Sequence, residues 1–348
     1  MADPIFSPDG KWMWTGSEWI PAPPSSSQSA NINLKDSVVG GDVHITQNSA
    51  SDFIAGIDYL LKKIGFDGQS SPTELTPSQE ADVEQVLEMS EQLAGHGIEI
   101  DPWTEITLGN AAKFAGRTHS AQQHYLRALE IFRKNGDREG KAASIGNLAL
   151  IAERLGDLAE AIRLQRESLA ISREIGNRQH VSTALNNLGD IAKTVGDLAE
   201  AERLFQESLI IAREIGDRLN EANSLGNLGM IAQKRGALAE AEQLQGKSLT
   251  IQREIGNRQG EAVSLLRLGN IADTRGDLAE AERLQRESLA ISREIGDRKG
   301  EADSLINLGT IASLNGNMDE RHTCYTEAVR IQREIGAPLD QWFIDNGY

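Results

Sequence analysis

The sequence predicts a mostly α-helical chain: an α-solenoid of six helix pairs behind a small N-terminal β segment. Gly116, Gly156, Gly196, Gly236, Gly276 and Gly316 lie 40 residues apart without slippage. Whole phrases repeat around them. Asn-Leu-Gly-Asp-Ile-Ala at 187–192 returns as Asn-Leu-Gly-Met-Ile-Ala at 227–232 and Asn-Leu-Gly-Thr-Ile-Ala at 307–312. Aromatic residues make up 5% of the chain, which suits helix stacks cored by Leu, Ile and Ala. A fixed period in this range means stacked units, each too small to bury its own apolar face. Such a stack builds a long curved surface rather than a closed pocket, which favours binding over catalysis.

Residues 1–22 read as a Trp-rich β-hairpin unit. Asp9-Gly10 and Thr15-Gly16-Ser17 are turn signals, and Trp12 and Trp14 alternate onto one strand face. Residues 23–30, with Pro-Pro and Ser-Ser-Ser, are a linker. Residues 31–48 alternate as a second β-hairpin, with Ile32 and Leu34, then Val43 and Ile45, around Gly40-Gly41-Asp42. A lone hairpin of this length is marginal in water, so it needs a pairing partner. Residues 52–65 form an amphipathic helix with Phe53, Ile57, Leu60, Leu61 and Ile64 on one side. Residues 66–77 are a second linker. Residues 78–98 cap the array with a helix bearing Val83, Val86, Leu87 and Leu93.

Six repeats then fill 101–336. Each first helix carries one member of the series Leu108, Leu148, Leu188, Leu228, Leu268, Leu308 and stops at the 40-residue glycine. The second helix opens on Asp-Leu-Ala-Glu at 157–160, 197–200 and 277–280, the spacing of a capping box. Ala237 lacks that cap. Small residues recur where paired helices must touch: Gly109, Ala149, Gly189, Gly229, Gly269 and Gly309 on the first helix, and Ser168, Ser208, Ser248 and Ser288 on the second. Arg321 breaks a second-helix alanine series and suggests a solvated outer side on the last repeat. Residues 337–348, with Leu339, Trp342 and Phe343, form a C-terminal cap.

The net charge of −17 argues against nucleic acid and anionic membrane as partners, since both need a basic footprint. The excess is uneven. Residues 1–100 hold four Lys/Arg against 15 Asp/Glu, and the other 248 hold 31 against 37. One cysteine, Cys324, makes no intramolecular disulfide and no Cys-rich zinc site. No secretory signal and no apolar run of membrane-spanning length is visible. The expected location is cytoplasmic. The six histidines show no His-Glu-x-x-His pattern, and there is no Gly-Lys-Ser/Thr loop or Gly-x-Ser-x-Gly elbow. No enzymatic activity, metal or cofactor is therefore expected.

Paired helices with these small residues resemble the tetratricopeptide repeat. The 40-residue period, the Asn-Leu-Gly opening and the Gly-Asp-Arg or Gly-Asn-Arg junction are more similar to its longer-repeat branch, which includes kinesin light chains and Pins-type regulators. Roughly two thirds of the chain is covered. The chain departs from the shorter repeats at their aromatic positions, which hold Ile, Ala and Gln here. The resemblance implies that first helices line a concave groove for peptide segments. The residue before each Leu of the series would then face the groove: Asn147, Asn187, Asn227, Arg267 and Asn307, with Thr107 in the first repeat. An Asn amide offers donors and an acceptor together and can pair with a ligand's peptide group. Asn110, Asp190, Asn270 and Thr310 lie three residues further and share the expected face. The alternative is that each Asn bonds a neighbouring repeat or faces water.

Arg267 is the exception in the ladder, and its guanidinium could anchor an acidic or C-terminal group. The alternative partner is a nearby carboxylate such as Asp303. The junction arginines, Arg138, Arg178, Arg218, Arg258 and Arg298, are expected to pair with helix acids rather than ligand. The leading expectation is a scaffold or adaptor that binds a protein or peptide. Others are self-assembly through residues 31–65 into a homo-oligomer, and a regulatory subunit of a separate enzyme.

Overall fold

The fold is given by a computed structural model that describes residues 5–6, 12–14, 19–21, 47–66 and 75–348. The chain divides into two compact units, Met1–Thr46 and Gln47–Tyr348. In the first, β1 (Ile5–Phe6), β2 (Trp12–Trp14) and β3 (Trp19–Pro21) form an antiparallel sheet in the order β1-β2-β3. Trp14 sits opposite both Ile5 and Trp19 in register. The expected Trp hairpin thus has a third strand. The expected linker at 23–30 and the hairpin at 31–48 lie outside the described residues, except that Gln47 and Asn48 open a helix.

That helix, α1 (Gln47–Ile64), buries Phe53, Ile57, Leu60, Leu61 and Ile64. It packs on α2 (Pro77–Gly95), so the apolar face expected to drive self-assembly is covered within the chain. Most of the expected linker at 66–77 lies outside the described residues. Phe66 is not linker-like: it is buried, with its ring edge-on to Phe114 at 5.9 Å. Thr76 and Gln79 close a full capping box on α2.

Six pairs follow: α3 (Pro102–Phe114) with α4 (Thr118–Asn135), α5 (Arg138–Arg154) with α6 (Leu158–Glu174), and α7 (Arg178–Thr194) with α8 (Leu198–Ile215). Next come α9 (Arg218–Lys234) with α10 (Leu238–Glu254), α11 (Arg258–Thr274) with α12 (Leu278–Ile295), and α13 (Arg298–Leu314) with α14 (Met318–Glu334). Each odd helix from α3 on also touches the next odd helix. The odd helices therefore form the tight inner wall of a superhelix, and the even ones the outer wall.

The turn inside each pair is a fused cap. At the second pair, Gly156 takes φ 81° and donates to Glu153 O, while Asp157 N donates to Ala152 O at 2.9 Å. This Schellman pattern ends α5. The Asp157 carboxylate then accepts from Glu160 N at 3.0 Å and starts α6. The expected capping box is only half made. The Asp157 amide is already bonded, so the Glu160 carboxylate turns to Arg163 instead. The same holds at Asp197 with Glu200 and Asp277 with Glu280. Ala237 starts α10 with no side-chain cap.

The helices of a pair touch through the small residues. A β-carbon at Gly189 would stand 2.5 Å from the Phe205 ring, and one at Gly229 2.9 Å from the Gln245 amide. Ser168, Ser248 and Ser288 each donate to a carbonyl 26 residues back, at 2.8–2.9 Å. Long ion pairs tie the start of each first helix to the end of the second helix of the same pair. Each junction arginine holds the glutamate 36 residues ahead, as Arg138 holds Glu174 and Arg258 holds Glu294. Being exposed and screened by solvent, these pairs contribute little to stability. Glu221, Glu261 and Glu301 are mostly buried, and each is held by two arginines.

The chain closes on α15 (Gln341–Asp345), whose Phe343 is buried against Tyr325 and Val329. Arg321 is half-buried rather than solvated, with its Nε shielded and unpartnered. Cys324 is buried in the α13–α14 core, and burial pushes its thiol pKa up. Among the described residues no helix is long and apolar enough to cross a membrane.

These contacts set the expected effect of three substitutions. Supplying the missing cap with Ala237→Asp should raise the unfolding free energy by about 1 kcal/mol in urea titration. Gly189→Ala should lower it by about 1–3 kcal/mol through overpacking against Phe205. Gly246→Ala, at an interior helix position with nothing within 4 Å, should raise it by roughly 0.5–1 kcal/mol.

Candidate binding groove

Three successive inner helices, α7, α9 and α11, wall a hollow of about 640 Å³. Ser248 and Gln252 of α10, both buried, line its depth. The hollow gathers Asn187, Asn227, Arg267 and Asp190 from the expected set. Asn147 and Asn307 hold the same register on α5 and α13 but do not line it. Asn110 and Asn270 are turned elsewhere. Asn110 Oδ1 accepts from the Tyr125 hydroxyl at 2.8 Å, and Asn270 Oδ1 accepts from Gln285 Nε2 at 2.9 Å. Asp190, at the same offset, still lines the hollow, so it is the polar partners on the facing helix that draw Asn110 and Asn270 away. Thr310 likewise bonds Tyr325 at 3.0 Å.

Amides dominate the walls and divide into two groups. Asn186 is locked: its Nδ2 donates to Asn220 Oδ1 at 3.2 Å, and its Oδ1 accepts from Ser224 Oγ at 3.0 Å. Asn220 Nδ2 in turn donates to Thr183 Oγ1 at 3.1 Å and to Asp217 Oδ2 at 2.7 Å. The Asn187 and Asn227 carboxamides have no hydrogen-bond partner among the described residues. Asn227 is only 8% exposed, so what its amide can still reach is the hollow it lines. The locked group holds the wall and the second group faces the space.

Sequence reasoning missed Asn186, Asn220 and Asn223. The signal was present, because 220, 223 and 227 lie at i, i+3 and i+7, on one helix face. It also missed the exposed apolar side chains Leu219 and Val263, 47% and 38% exposed, which line the same hollow.

The electrostatics are sparse. Arg267 is the cation lining the hollow, and it has no ion pair or hydrogen bond among the described residues. Burial lowers its pKa, and the charge of Asp190 opposes that shift. Asp190 itself is paired with Lys193 at 2.5 Å. The alternative partner, Asp303, does not hold Arg267. Burial raises its carboxyl pKa, and Lys299 opposes the rise. The junction arginines pair with helix glutamates throughout, as expected from sequence. His124 is buried with Glu105 at 2.6 Å in the first pair and takes no part in the hollow. No group of three or more His, Cys, Asp or Glu that could hold a metal ion occurs among the described residues.

A tetratricopeptide repeat family model matches residues 101–174, 180–254 and 260–334. None of the curated proteins compared with the chain matches it. Solved structures do. The apo form of RapI is 13% identical with a TM-score of 0.63, covering 82% of this chain and 98% of RapI. A signal transduction ATPase with numerous domains and a tetratricopeptide repeat sensor, from Pyrococcus horikoshii, is 15% identical with a TM-score of 0.58, covering 94% of this chain and 51% of that one. NprR in complex with its cognate peptide NprX is 15% identical with a TM-score of 0.54, covering 87% and 78%. At these identities the likeness is one of fold.

The two groups of asparagines should separate in unfolding experiments. Asn186→Ala removes a buried partner from Asn220 and Ser224 and should cost about 1–2 kcal/mol. Asn187→Ala removes no intramolecular bond and should stay within about 0.5 kcal/mol of wild type.

Proposed function

The chain belongs to the tetratricopeptide repeat family, and from that premise we propose that it is a non-catalytic interaction protein that holds an extended peptide segment of a partner in the hollow of α7, α9 and α11. The observation that carries this reading is the pair of unengaged carboxamides, Asn187 and Asn227, on walls fixed by a separate amide network. An amide can match the donor and acceptor of one ligand peptide group without demanding a particular side chain. Inner helices pack at roughly 8–10 Å, about three residues of extended chain, so one amide per repeat samples a strand at regular intervals. Leu219 and Val263 offer apolar contacts beside them. The hollow is pre-formed, which limits the ordering cost of binding.

A sensing role within signalling is a second reading of the same groove. It is favoured by the likeness to the ATPase carrying a repeat sensor and to NprR bound to a peptide. In both readings the chemical event is peptide capture.

Display of random nonapeptides against the immobilised full chain tests the proposal. Binders should be enriched, and Asn187→Ala/Asn227→Ala should weaken them about tenfold or more by fluorescence anisotropy, at about 1 kcal/mol per lost hydrogen bond. Enriched peptides bound equally well by the double variant would place the contact elsewhere and end the groove reading.

A further inference from the structure

The inner helices repeat closely, and one position departs from the rest. At the residue preceding the ladder, the third to fifth repeats hold Asn186, Gly226 and Leu266. The glycine stands opposite the one arginine in the ladder. A β-carbon at Gly226 would meet Arg267 Nη1 at 3.0 Å, Ser248 Oγ at 3.4 Å and Gln245 Oε1 at 3.7 Å. Arg267 therefore reaches from α11 across to the α9 backbone, and its guanidinium lies in the room that the missing side chain leaves. In the preceding repeat the same room holds the Asn186 carboxamide, bonded on both sides. Here, the group that fills it is a half-buried cation with no counter-charge in contact. Gln245, fully buried beside it, keeps an unpartnered Oε1. A partly desolvated cation without a partner costs stability, so the arrangement leaves an unmet demand for an anion on the wall of the hollow.

Resting on the groove reading, we propose that the hollow selects acidic peptides, with one ligand carboxylate seated on the Arg267 guanidinium above Gly226. The lining carboxylates disfavour more than one negative charge on the ligand. Asp190 and Asp217 share the hollow and would repel a doubly charged phosphate group more strongly than a carboxylate. Val263 lies one helical turn before Arg267 on α11, so an apolar ligand side chain would pack beside the acid. The carboxylate could belong to an Asp or Glu side chain or to a C-terminus. The chemistry of the seat is the same for both, and the test separates them.

The probes are nonapeptides enriched from the random library, resynthesised in matched forms: acid side chains kept or replaced by their amides, and C-termini free or amidated. Wild type should bind a carboxylate form about tenfold or more tightly than its amide counterpart, as charge-assisted pairing to Arg implies. Whichever replacement abolishes the difference identifies the source of the carboxylate. Arg267→Gln should erase the preference and Arg267→Lys should keep part of it. Gly226→Ala should shrink it while the fold is kept. Without any peptide, Arg267→Asn should raise the Tm of the full chain by about 2 °C, because an unpaired cation is removed. A lowered Tm would assign the guanidinium to holding the helices and overturn the proposal. Equal binding of acid and amide forms, still weakened by Asn187→Ala/Asn227→Ala, would overturn the carboxylate seat alone. Binding of both forms untouched by that double variant would remove the groove itself, and the seat with it.

Discussion

The array depends on how closely the two helices of a pair approach. At Gly189 there is no room for a single carbon between the α7 backbone and the Phe205 ring. Gly109 and Tyr125, and Gly309 and Tyr325, meet in the same way. Ser168, Ser248 and Ser288 bring the second helix near enough to donate into the first helix's carbonyls. Contact at that distance lets Leu and Ile of neighbouring pairs mesh into continuous cores running from one repeat to the next. Each pair gains its burial from its neighbours, so a defect in one contact is felt along the stack.

Curvature follows from an asymmetry between the two walls. The odd helices touch their successors directly, while the even helices are linked by long side chains such as Arg173 to Glu207, Arg253 to Glu287 and Arg293 to Glu327. A guanidinium and a carboxylate on flexible stems span a wider gap than meshed Leu and Ala. The inner wall is thereby narrowed, and three of its helices enclose a hollow. Ion pairs of every kind, within a helix, within a pair and between pairs, engage most of the cations of the array, so a cation left unpaired on the inner wall is a distinct chemical feature.

Much of the architecture was legible in the sequence because it is periodic. The 40-residue glycines, the Leu series and the small-residue series are each fixed by one steric requirement that recurs, and the structure places them on turns and seams. What was not legible depends on competition between bonds. The half-made capping box at Asp157 could not be read, because the amide that the Glu would reach is taken by the preceding helix. The ladder residues at 187, 227 and 267 come together in one hollow, whereas 110 and 270 are drawn to hydroxyl and amide partners on the facing helices. A spacing of three residues was not enough to say which side each would face. The room beside Gly226 was invisible for a similar reason: it belongs to α9, but what occupies it comes from α11.

The fourth pair gathers several weaknesses. Its outer helix α10 starts without a cap at Ala237 and carries Gly246 mid-helix. Against Gly229 it presents Gln245, with an unpartnered oxygen, where the neighbouring pair presents Phe205. The same helix supplies Ser248 and Gln252 to the depth of the hollow. Local opening of the solenoid is therefore expected to be easiest at this fourth pair, directly behind the cleft. A segment seated in the cleft would touch α7, α9 and α11 at once and so brace that weak joint from its inner side.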